Sequence, residues 1–256
     1  MKTIDNRKSL QKTRREIELM ETSGKICSLV LKKLTEMVKA GESCSNLNDI
    51  ARAEMEKRGA GPSFMTVDDY KWTICTTINE EVVHGIPKRR LLKDGDILGI
   101  DIGVLYKGYH SDMAVSLCVG KITEDKKKFL DVGKKTLKRA IERARIGNRI
   151  GDISATIQDG IESNGYSVVR NLTGHGIGKN LHEDPVIPCF GKRQTGPKIL
   201  ENMVLAIEVI YTQGSGEVKL EQDGWTITTS DGSLGGLFEQ TVVISKDGPI
   251  VLTPYL

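Results

Sequence analysis

Hydrophobic positions recur at helical spacing in four segments of the chain and predict amphipathic helices there. The predicted helices cover residues 14–40, 46–58, 124–145 and 152–165. Asp152 is a suitable N-cap for the last helix, which ends at Gly165, and Gly41 and Gly59 follow the ends of the first two helices. Short runs rich in β-branched residues, bounded by turn-forming residues, predict strands between the helices. The predicted strands cover residues 73–78, 82–83, 97–120, 167–171, 204–211, 225–229 and 237–245.

The order of helix, helix and strands occurs twice along the chain. The local sequence also repeats, with Ile-Leu-Gly-Ile-Asp at 97–101 matching Val-Leu-Ala-Ile-Glu at 204–208. We therefore predict an internal duplication, with two helix–helix–strand units arranged around a pseudo-twofold axis. No low-complexity linker separates the halves, so residues 14–256 are expected to form a single domain after a flexible N-terminal extension, 1–13.

Four acidic residues stand alone within the apolar strand segments. They are Asp101 in ILGIDIGVL, Asp112 at the start of DMAVSLCV, Glu208 in MVLAIEVIY and Glu239 in GLFEQTVVI. A buried carboxylate costs several kcal/mol or more unless it is paired or binds a cation, and these runs contain no Lys or Arg. One such acid would indicate a structural salt bridge. Four favour a metal site, and their mutual repulsion would require more than one positive charge.

A hairpin within 97–120 predicts that two of these acids lie together. If the turn centres on Tyr106 and Lys107, Asp101 and Asp112 are directly opposed on one face of the sheet. The register between the segments that contain Glu208 and Glu239 does not follow from the sequence, because a long excursion separates them.

The four histidines add candidates for ligands and catalysis. His175 lies in TGHGIG, whose glycines allow close approach of the backbone, His182 lies in NLHEDP, and His84 lies in INEEVVHGIP. His110 is interpreted as an ordinary structural residue. One imidazole and four carboxylates form an oxygen-rich set that suits Mn, Fe or Co better than a closed structural zinc site.

Composition narrows the class of protein without adding chemistry. The chain has 256 residues, 38% hydrophobic content and a net charge of +3, which argues against a general nucleic-acid binder. It contains no apolar run near the length of a membrane span, and its basic N-terminus lacks the apolar segment of a secretory signal. Five cysteines without a CxxC pair indicate reduced thiols. A cytoplasmic protein is expected.

The acids and histidines, in this order, resemble the type I methionine aminopeptidases of the bacterial kind. The motifs INEEVVHGIP, GDILGIDIG, TGHGIGKNLHE and DGWT carry the resemblance, which extends from about residue 14 to 244. It implies the α+β pita-bread fold, with helical pairs packed on a curved antiparallel sheet. It also implies a cytosolic metallopeptidase that removes the initiator methionine from nascent chains by metal-activated attack of water, preferring a small second residue.

The resemblance also assigns roles to residues. Two divalent ions (Co, Mn, Fe, Zn or Ni) would be bound by Asp101, Asp112, His175, Glu208 and Glu239, with Asp112 and Glu239 bridging the ions. The residues with catalytic roles would be Glu208 as proton acceptor, His182 as donor to the carbonyl oxygen and His84 at the amide nitrogen. The methionine pocket would be formed by Phe64, Tyr70, Cys75, His84, Leu181, His182 and Trp225.

Four positions depart from the pattern of that family. Leu181 stands where Phe is usual, Gly99 where Asn is usual, Leu237 where Gln is usual and Gln240 where His is usual. All five ligand positions are kept, so the departures concern the shape of the pocket and metal affinity. We hypothesise that Phe64 compensates for the ring volume lost at Leu181.

Two other classes share this fold. Proline-specific aminopeptidases, prolidases and creatinases usually have a large domain before the catalytic one. The first candidate ligand of this chain is at position 101, which is expected to leave no room for such a domain. Non-enzymatic binding modules lose ligands.

Residues 126–149 contain ten basic residues, which we interpret as a solvated helix face, with contact to ribosomal RNA near the exit tunnel as the alternative. Nascent N-termini are the expected partners, and the protein is expected to be monomeric.

Overall fold

Two pairs of helices cover one face of a large antiparallel sheet in the computed structural model, which describes residues 10–256. The helices are α1 (Arg14–Met37), α2 (Cys44–Glu56), α3 (Glu124–Ile141) and α4 (Ile150–Glu162). The strands of the first half are β1 (Gly61–Pro62), β2 (Ile74–Ile78), β3 (Glu81–Val83), β4 (Ile97–Tyr106) and β5 (Tyr109–Cys118). Those of the second half are β6 (Ser167–Val168), β7 (Thr173–Gly176), β8 (Glu183–Pro188), β9 (Val204–Thr212), β10 (Val218–Leu220), β11 (Ile227–Thr229), β12 (Gly235–Ser245) and β13 (Gly248–Val251).

All four predicted helices form, but their ends differ from the prediction. α1 and α3 end at Met37 and Ile141, earlier than expected. Asp152 is not the N-cap of α4. It lies in the first turn, and its carboxylate accepts hydrogen bonds from the backbone N–H groups of Arg149 (2.8 Å) and Gln194 (3.0 Å). Asp152 therefore acts as the third residue of a capping box, whose side chain accepts from the backbone N–H of the N-cap residue, here Arg149.

The predicted strands form, although two of them are shorter than expected. The segment 167–171 contributes only two residues and 225–229 only three. Strands β1, β7, β8, β10 and β13 were not predicted, since they are short and several contain Gly or Pro, which weaken the strand pattern.

The sheet is organised as two related halves. Its main path is β1–β4–β5–β12–β9–β7–β8, with β2 on β4, β6 on β9 and β13 on β12. α1 packs on β4 and β5, and α3 packs on β9 and β12. The predicted internal duplication is therefore present, and the halves meet where β5 pairs with β12.

The pleat of the strands separates the hydrophobic core from the acidic residues. Ile100 and Ile102 of β4 and Ile207 and Val209 of β9 belong to the clusters that the helices cover. Because successive side chains in a strand point to opposite faces, the odd-numbered residues of β4 and the even-numbered residues of β9 face away from the helices. A third apolar cluster, which includes Tyr70, lies on that second face.

The part of the predicted N-terminal extension that the structure describes is docked on the domain. Lys12 N donates to Asn202 O (2.8 Å), and Gln11 forms an isolated β-bridge with Met203. Residues 1–9 of the extension lie outside the described residues. Within residues 10–256, no helix combines the length and the hydrophobicity that crossing a membrane requires.

Candidate metal centre

Three of the four candidate acids lie in one row across the sheet. Asp101 on β4 is opposite Ala114 on β5, Ala114 is opposite Glu239 on β12, and Glu239 is opposite Glu208 on β9. Directly opposed residues of antiparallel strands share a face, with Cβ atoms about 4.5–5.5 Å apart. The small side chain of Ala114 leaves the space between Asp101 and Glu239 open to all three carboxylates.

The other two candidate ligands lie in the adjacent row. Asp112 is opposite Gly103, and His175 on β7 is opposite Ala206, which is itself opposite Thr241. Thr241 Oγ1 accepts from Asp112 N (2.9 Å) and donates to Asp112 O (2.7 Å), so it links the two halves of this row. All five candidate ligands are thus on the face of the sheet that the helices leave uncovered.

The prediction that Asp101 and Asp112 are directly opposed is wrong, because the hairpin turn lies one residue later than expected. The turn centres on Lys107 and Gly108, which both have positive φ (48° and 82°), and Tyr106 pairs with Tyr109. Two-residue hairpins of this type need positive φ at both central positions, which Gly provides without strain. The register changes by two residues, so the aspartates remain on one face as diagonal neighbours.

His175 is oriented towards the carboxylates by its own backbone neighbour. Its Nδ1 lies 2.9 Å from Gly176 O, which favours a proton on Nδ1 and leaves the Nε2 lone pair free. Nε2 lies 3.6 Å from Glu208 Oε1, and ligand atoms of Asp112, His175 and Glu239 all lie within 4.8 Å of one another. Burial, together with repulsion from His182, lowers the pKa of His175 to about 4, so the ring is neutral near pH 7.

The carboxylates are arranged at an electrostatic cost that a cation would remove. Burial raises the pKa of Asp101 to about 7 and raises the pKa of Asp112, Glu208 and Glu239 well above the usual range, with mutual repulsion adding to the last three. Asp101 Oδ1, Asp112 Oδ1 and Glu239 Oε1 are buried without a hydrogen-bond partner among residues 10–256. Oxygen atoms left free by the protein, beside one neutral imidazole, fit divalent cations.

A cavity of about 110 Å³ lies directly above the carboxylates. Apart from the five candidate ligands, its walls are Phe64, Val67, Tyr70, Cys75, Val83, His84, Leu181, His182 and Trp225. Every residue predicted for the methionine pocket is therefore brought together here. Val67 and Val83 were missed, since isolated valines in a loop and a short strand carry no sequence signal of their own.

The apolar wall of the cavity is held by contacts among aromatic rings. The Tyr70 ring packs edge-on against the rings of Trp225 (5.0 Å between centroids) and Phe64 (6.3 Å). Tyr70 Oη lies 3.1 Å from Cys75 Sγ, and Cys75 is opposite Asp101 in the register of β2 and β4. Burial raises the pKa of the Cys75 thiol well above its usual value, which keeps the thiol protonated.

Two histidines stand at the rim of the cavity. The ring of His182 packs perpendicular to that of His175, with centroids 4.5 Å apart. His84 has a positive φ of 56°, and the backbone of Gly85 passes so close to Thr76 O that a Cβ at position 85 would lie 2.1 Å from it. Such strained conformations cluster at functional sites. Burial lowers the pKa of the His182 imidazole, and burial together with repulsion from His182 lowers the pKa of the His84 imidazole. Each ring is therefore neutral near pH 7.

The four positions that depart from the family pattern have different surroundings in the structure. A Cβ at Gly99 would meet Thr77 Oγ1 at 2.2 Å, so Thr77 occupies the space of a larger residue there. Gln240 faces away from the carboxylates and donates from Nε2 to Thr253 O (2.9 Å). Leu237 packs in the buried core, and Leu181 lines the cavity in the same apolar cluster as Phe64 and Tyr70.

Sequence reasoning missed one element that supports the centre. Tyr255 Oη lies 2.6 Å from Ala114 O and 3.1 Å from Glu239 O, and Thr253 Oγ1 accepts from Thr241 N (2.8 Å). These contacts hold β5 and β12 together at the point where the two halves meet. No motif indicates them, because they depend on where the C-terminal segment passes. His110, interpreted as structural, bonds Ser63 Oγ (2.9 Å) and does not line the cavity.

Comparisons with known proteins agree with this geometry. Residues 18–246 match the model of metallopeptidase family M24. The chain is 44% identical to a methionine aminopeptidase of Clostridium perfringens, covering 94% of this chain and 97% of the relative, and 43% identical to methionine aminopeptidase 1 of Bacillus subtilis, covering 94% and 98%. The crystal structure of a Thermotoga maritima methionine aminopeptidase superposes with a TM-score of 0.93 at 37% identity, covering 94% of this chain and 98% of that one.

More distant structures share the fold. A prolidase from Pyrococcus furiosus superposes with a TM-score of 0.79 at 24% identity, and the match covers 98% of this chain but 68% of that one. The predicted pita-bread fold is confirmed by these neighbours.

Proposed function

The chain belongs to metallopeptidase family M24 and is a metal-dependent aminopeptidase that removes N-terminal methionine, and we propose that it acts on nascent proteins with two divalent ions bound at the carboxylate cluster. A small second residue would be preferred. The observation that carries the proposal is the convergence of four buried carboxylates and His175 below a cavity the size of one side chain.

The five clustered side chains are the proposed metal ligands. Ligand atoms of Asp112, His175 and Glu239 lie within 4.8 Å of one another. By the likeness to methionine aminopeptidases, Asp112 and Glu239 would each contact both ions. Divalent ions in such a centre polarise a carbonyl group and lower the pKa of water towards neutrality. With four carboxylates to balance, two divalent ions match the charge of the donor set better than one.

The proton transfers are assigned to residues beside the ligands. Glu208, whose pKa is raised by burial, is proposed to take the proton from the attacking water. His182 is proposed to donate a hydrogen bond to the scissile carbonyl oxygen and His84 to contact the amide nitrogen. Both imidazoles line the cavity and are neutral near pH 7, so each has one N–H to donate.

The cavity is proposed to bind the methionine side chain. Its wall of Phe64, Tyr70, Trp225 and Leu181 is apolar and aromatic. An unbranched thioether can adapt to such a wall and gains sulfur–aromatic contacts of about 0.3–1.5 kcal/mol each. The small volume of the cavity supports selection for one side chain at the chain end.

The proposed partners are the N-termini of nascent polypeptides in the cytoplasm, met by a monomeric enzyme. Exposed lysines of α3, such as Lys127, Lys128 and Lys135, belong to the basic segment that could contact ribosomal RNA. α3 packs on the face of the sheet opposite to the carboxylates, so a polyanion bound there would be remote from the cavity. We therefore retain the solvated helix face as the favoured interpretation.

A single assay separates the proposal from the proline-specific activities of the same fold. Metal-stripped protein is reloaded with Mn²⁺ and given Met-Ala-Ser or Ala-Pro. The proposal predicts cleavage of Met-Ala-Ser only, and only after reloading. Preferential cleavage of Ala-Pro would assign the chain to the proline-specific class instead.

A further inference from the structure

A groove of about 810 Å³ runs along the surface next to the cavity. Its walls include residues 10–13 of the N-terminal segment and the chain around β8, and His182 lines both the groove and the cavity. Resting on the proposed function, we propose that this groove binds the substrate polypeptide from its third residue onward, in extended form. The enzyme would then recognise a length of the nascent chain in addition to its first two residues.

The substrate has to leave the cavity by one of the grooves around it. The cavity holds about 110 Å³, which is enough for one side chain, so the rest of the polypeptide has to leave it. His182 is the residue at which the cavity and the groove meet. Another surface groove, lined by Glu80, Lys88 and Asp223, shares no lining residue with the cavity.

Side-chain and backbone contacts hold the walls of the groove in place. Lys12 Nζ and Glu183 Oε2 form a partly buried ion pair of 2.6 Å, and Asn180 N donates to Glu183 Oε1 (3.0 Å). Gln11 Nε2 donates to Glu201 O (2.9 Å). These contacts fix the N-terminal wall against the loop that carries His182. A preformed groove binds an extended chain with a smaller entropy loss than a mobile one.

The lining of the groove combines paired charges, one unpaired acid and an exposed apolar side chain. The Lys12–Glu183 pair and the pair of Lys179 with Glu16 (3.6 Å) neutralise each other's charges. Asp184 is exposed and forms no ion pair within residues 10–256, which leaves the lining with one net negative charge. Val186 exposes 58% of its surface in the same groove. These features fit an uncharged or basic polypeptide with apolar side chains and disfavour an acidic one.

The test compares peptides of different length on the metal-loaded enzyme. Met-Ala-Ser is compared with the octapeptide Met-Ala-Ser-Leu-Val-Lys-Leu-Gly, using the original protein, Val186→Asp and the matched control Ile250→Asp. Ile250 is a β-branched residue in β13 that is 51% exposed and lies outside the groove. We expect kcat/KM to be about 3–10-fold higher for the octapeptide, the gain expected from burying about 25–55 Å² of apolar surface. Val186→Asp should abolish that gain, whereas Ile250→Asp should keep it.

The tripeptide separates this inference from the proposed function. All three proteins should cleave Met-Ala-Ser equally, and failure of the original protein to do so would contradict the proposed function itself. Normal tripeptide cleavage with equal kcat/KM for both peptides would overturn the groove alone. Val186→Asp that keeps the full gain would overturn it as well.

A second measurement locates the bound chain without a variant. An octapeptide with a reduced first peptide bond and a benzophenone side chain at its fourth position is crosslinked to the metal-loaded protein. Crosslinks should fall within 10–13 or 179–186. Crosslinks confined to 80–88 or 219–232 would place the substrate on the other side of the cavity and overturn the proposal.

Discussion

Glu208 and Glu239 are directly opposed in the ladder of β9 and β12, in the middle of nine consecutive paired positions. The long run of pairing on both sides fixes the backbone of the two glutamates relative to each other. Their side chains lie on the face that the helices leave uncovered, where Asp101 joins them in the same row. The register of the sheet therefore fixes the relative backbone positions of these three acids, which cannot change unless strand pairing is broken.

Bridging and outer ligands should differ in their contribution to metal affinity. Asp112→Asn and Glu239→Gln should weaken binding more than Asp101→Asn, because each is proposed to contact both ions. The loss of metal affinity should exceed about 10–100-fold, the loss typical when a residue that only hydrogen-bonds to a metal ligand is replaced. Calorimetric titration of metal-stripped protein with Mn²⁺ measures this, and equal losses in all three variants would argue against bridging.

The three histidines of the site should separate into two kinds. His84→Ala and His182→Ala should bind metal nearly normally and lose about 10²–10⁴ in kcat, the range for acid–base groups and for donors to a developing oxyanion. His175→Ala should lose metal affinity instead, since its free Nε2 faces the carboxylates. Comparable loss of Mn²⁺ binding in all three variants would show that the roles are assigned wrongly.

The aromatic wall should set selectivity for methionine. Phe64→Ala enlarges the cavity and should raise the cleavage of N-terminal Leu or Phe relative to Met, while Leu181→Phe should overfill it and raise KM. Discrimination by apolar contacts is limited to about 1–3 kcal/mol, so the ratios should change by less than about 200-fold. Ratios of kcat/KM for Met, Leu and norleucine peptides that stay constant in Phe64→Ala would show that Phe64 serves only the core.

Glu16 at the start of α1 should make stability depend on pH. Hydrogen bonds to its carboxylate, first from the Thr13 backbone N–H and then from the Thr13 and Tyr109 hydroxyls, lower its pKa from 4.5 to about 2. A lowered pKa stabilises the fold above the unfolded-state value, and the contribution is lost as pH falls from about 4.5 towards 2. Glu16→Gln should cost about 0.5–2 kcal/mol at pH 7 and roughly half as much or less near pH 3, since the contribution is fully lost only as pH falls below about 2. Urea unfolding at both pH values measures this, with Glu36→Gln, exposed on the same helix, as the control. A cost independent of pH would contradict the assigned cause.

Local patterns predicted much of this architecture. Apolar runs rich in β-branched residues predicted β4, β5, β9 and β12, and the lone acids within them identified the candidate ligands before any register was known. The position of the hairpin turn could not be predicted, because Tyr106–Lys107 and Lys107–Gly108 both keep the aspartates on one face. Only the positive φ at Lys107 and Gly108 decides between them.

Long-range pairing lies beyond sequence patterns of this kind. The opposition of Glu208 and Glu239 depends on how β10 and β11 fold between them, which no local signal determines. The same holds for Tyr255, whose contacts with Ala114 O and Glu239 O exist only because the C-terminal segment passes beneath the seam of the two halves.

The dependence of methionine removal on metal at the carboxylate cluster is the central claim, and it can be measured in one titration. Thoroughly metal-stripped protein is titrated with Mn²⁺ while metal binding and Met-Ala-Ser hydrolysis are recorded together. Activity should be absent at the start, rise with the ions bound to the chain and reach its maximum at about two per chain, the charge that four carboxylates call for. Full activity in the metal-stripped protein would contradict the account.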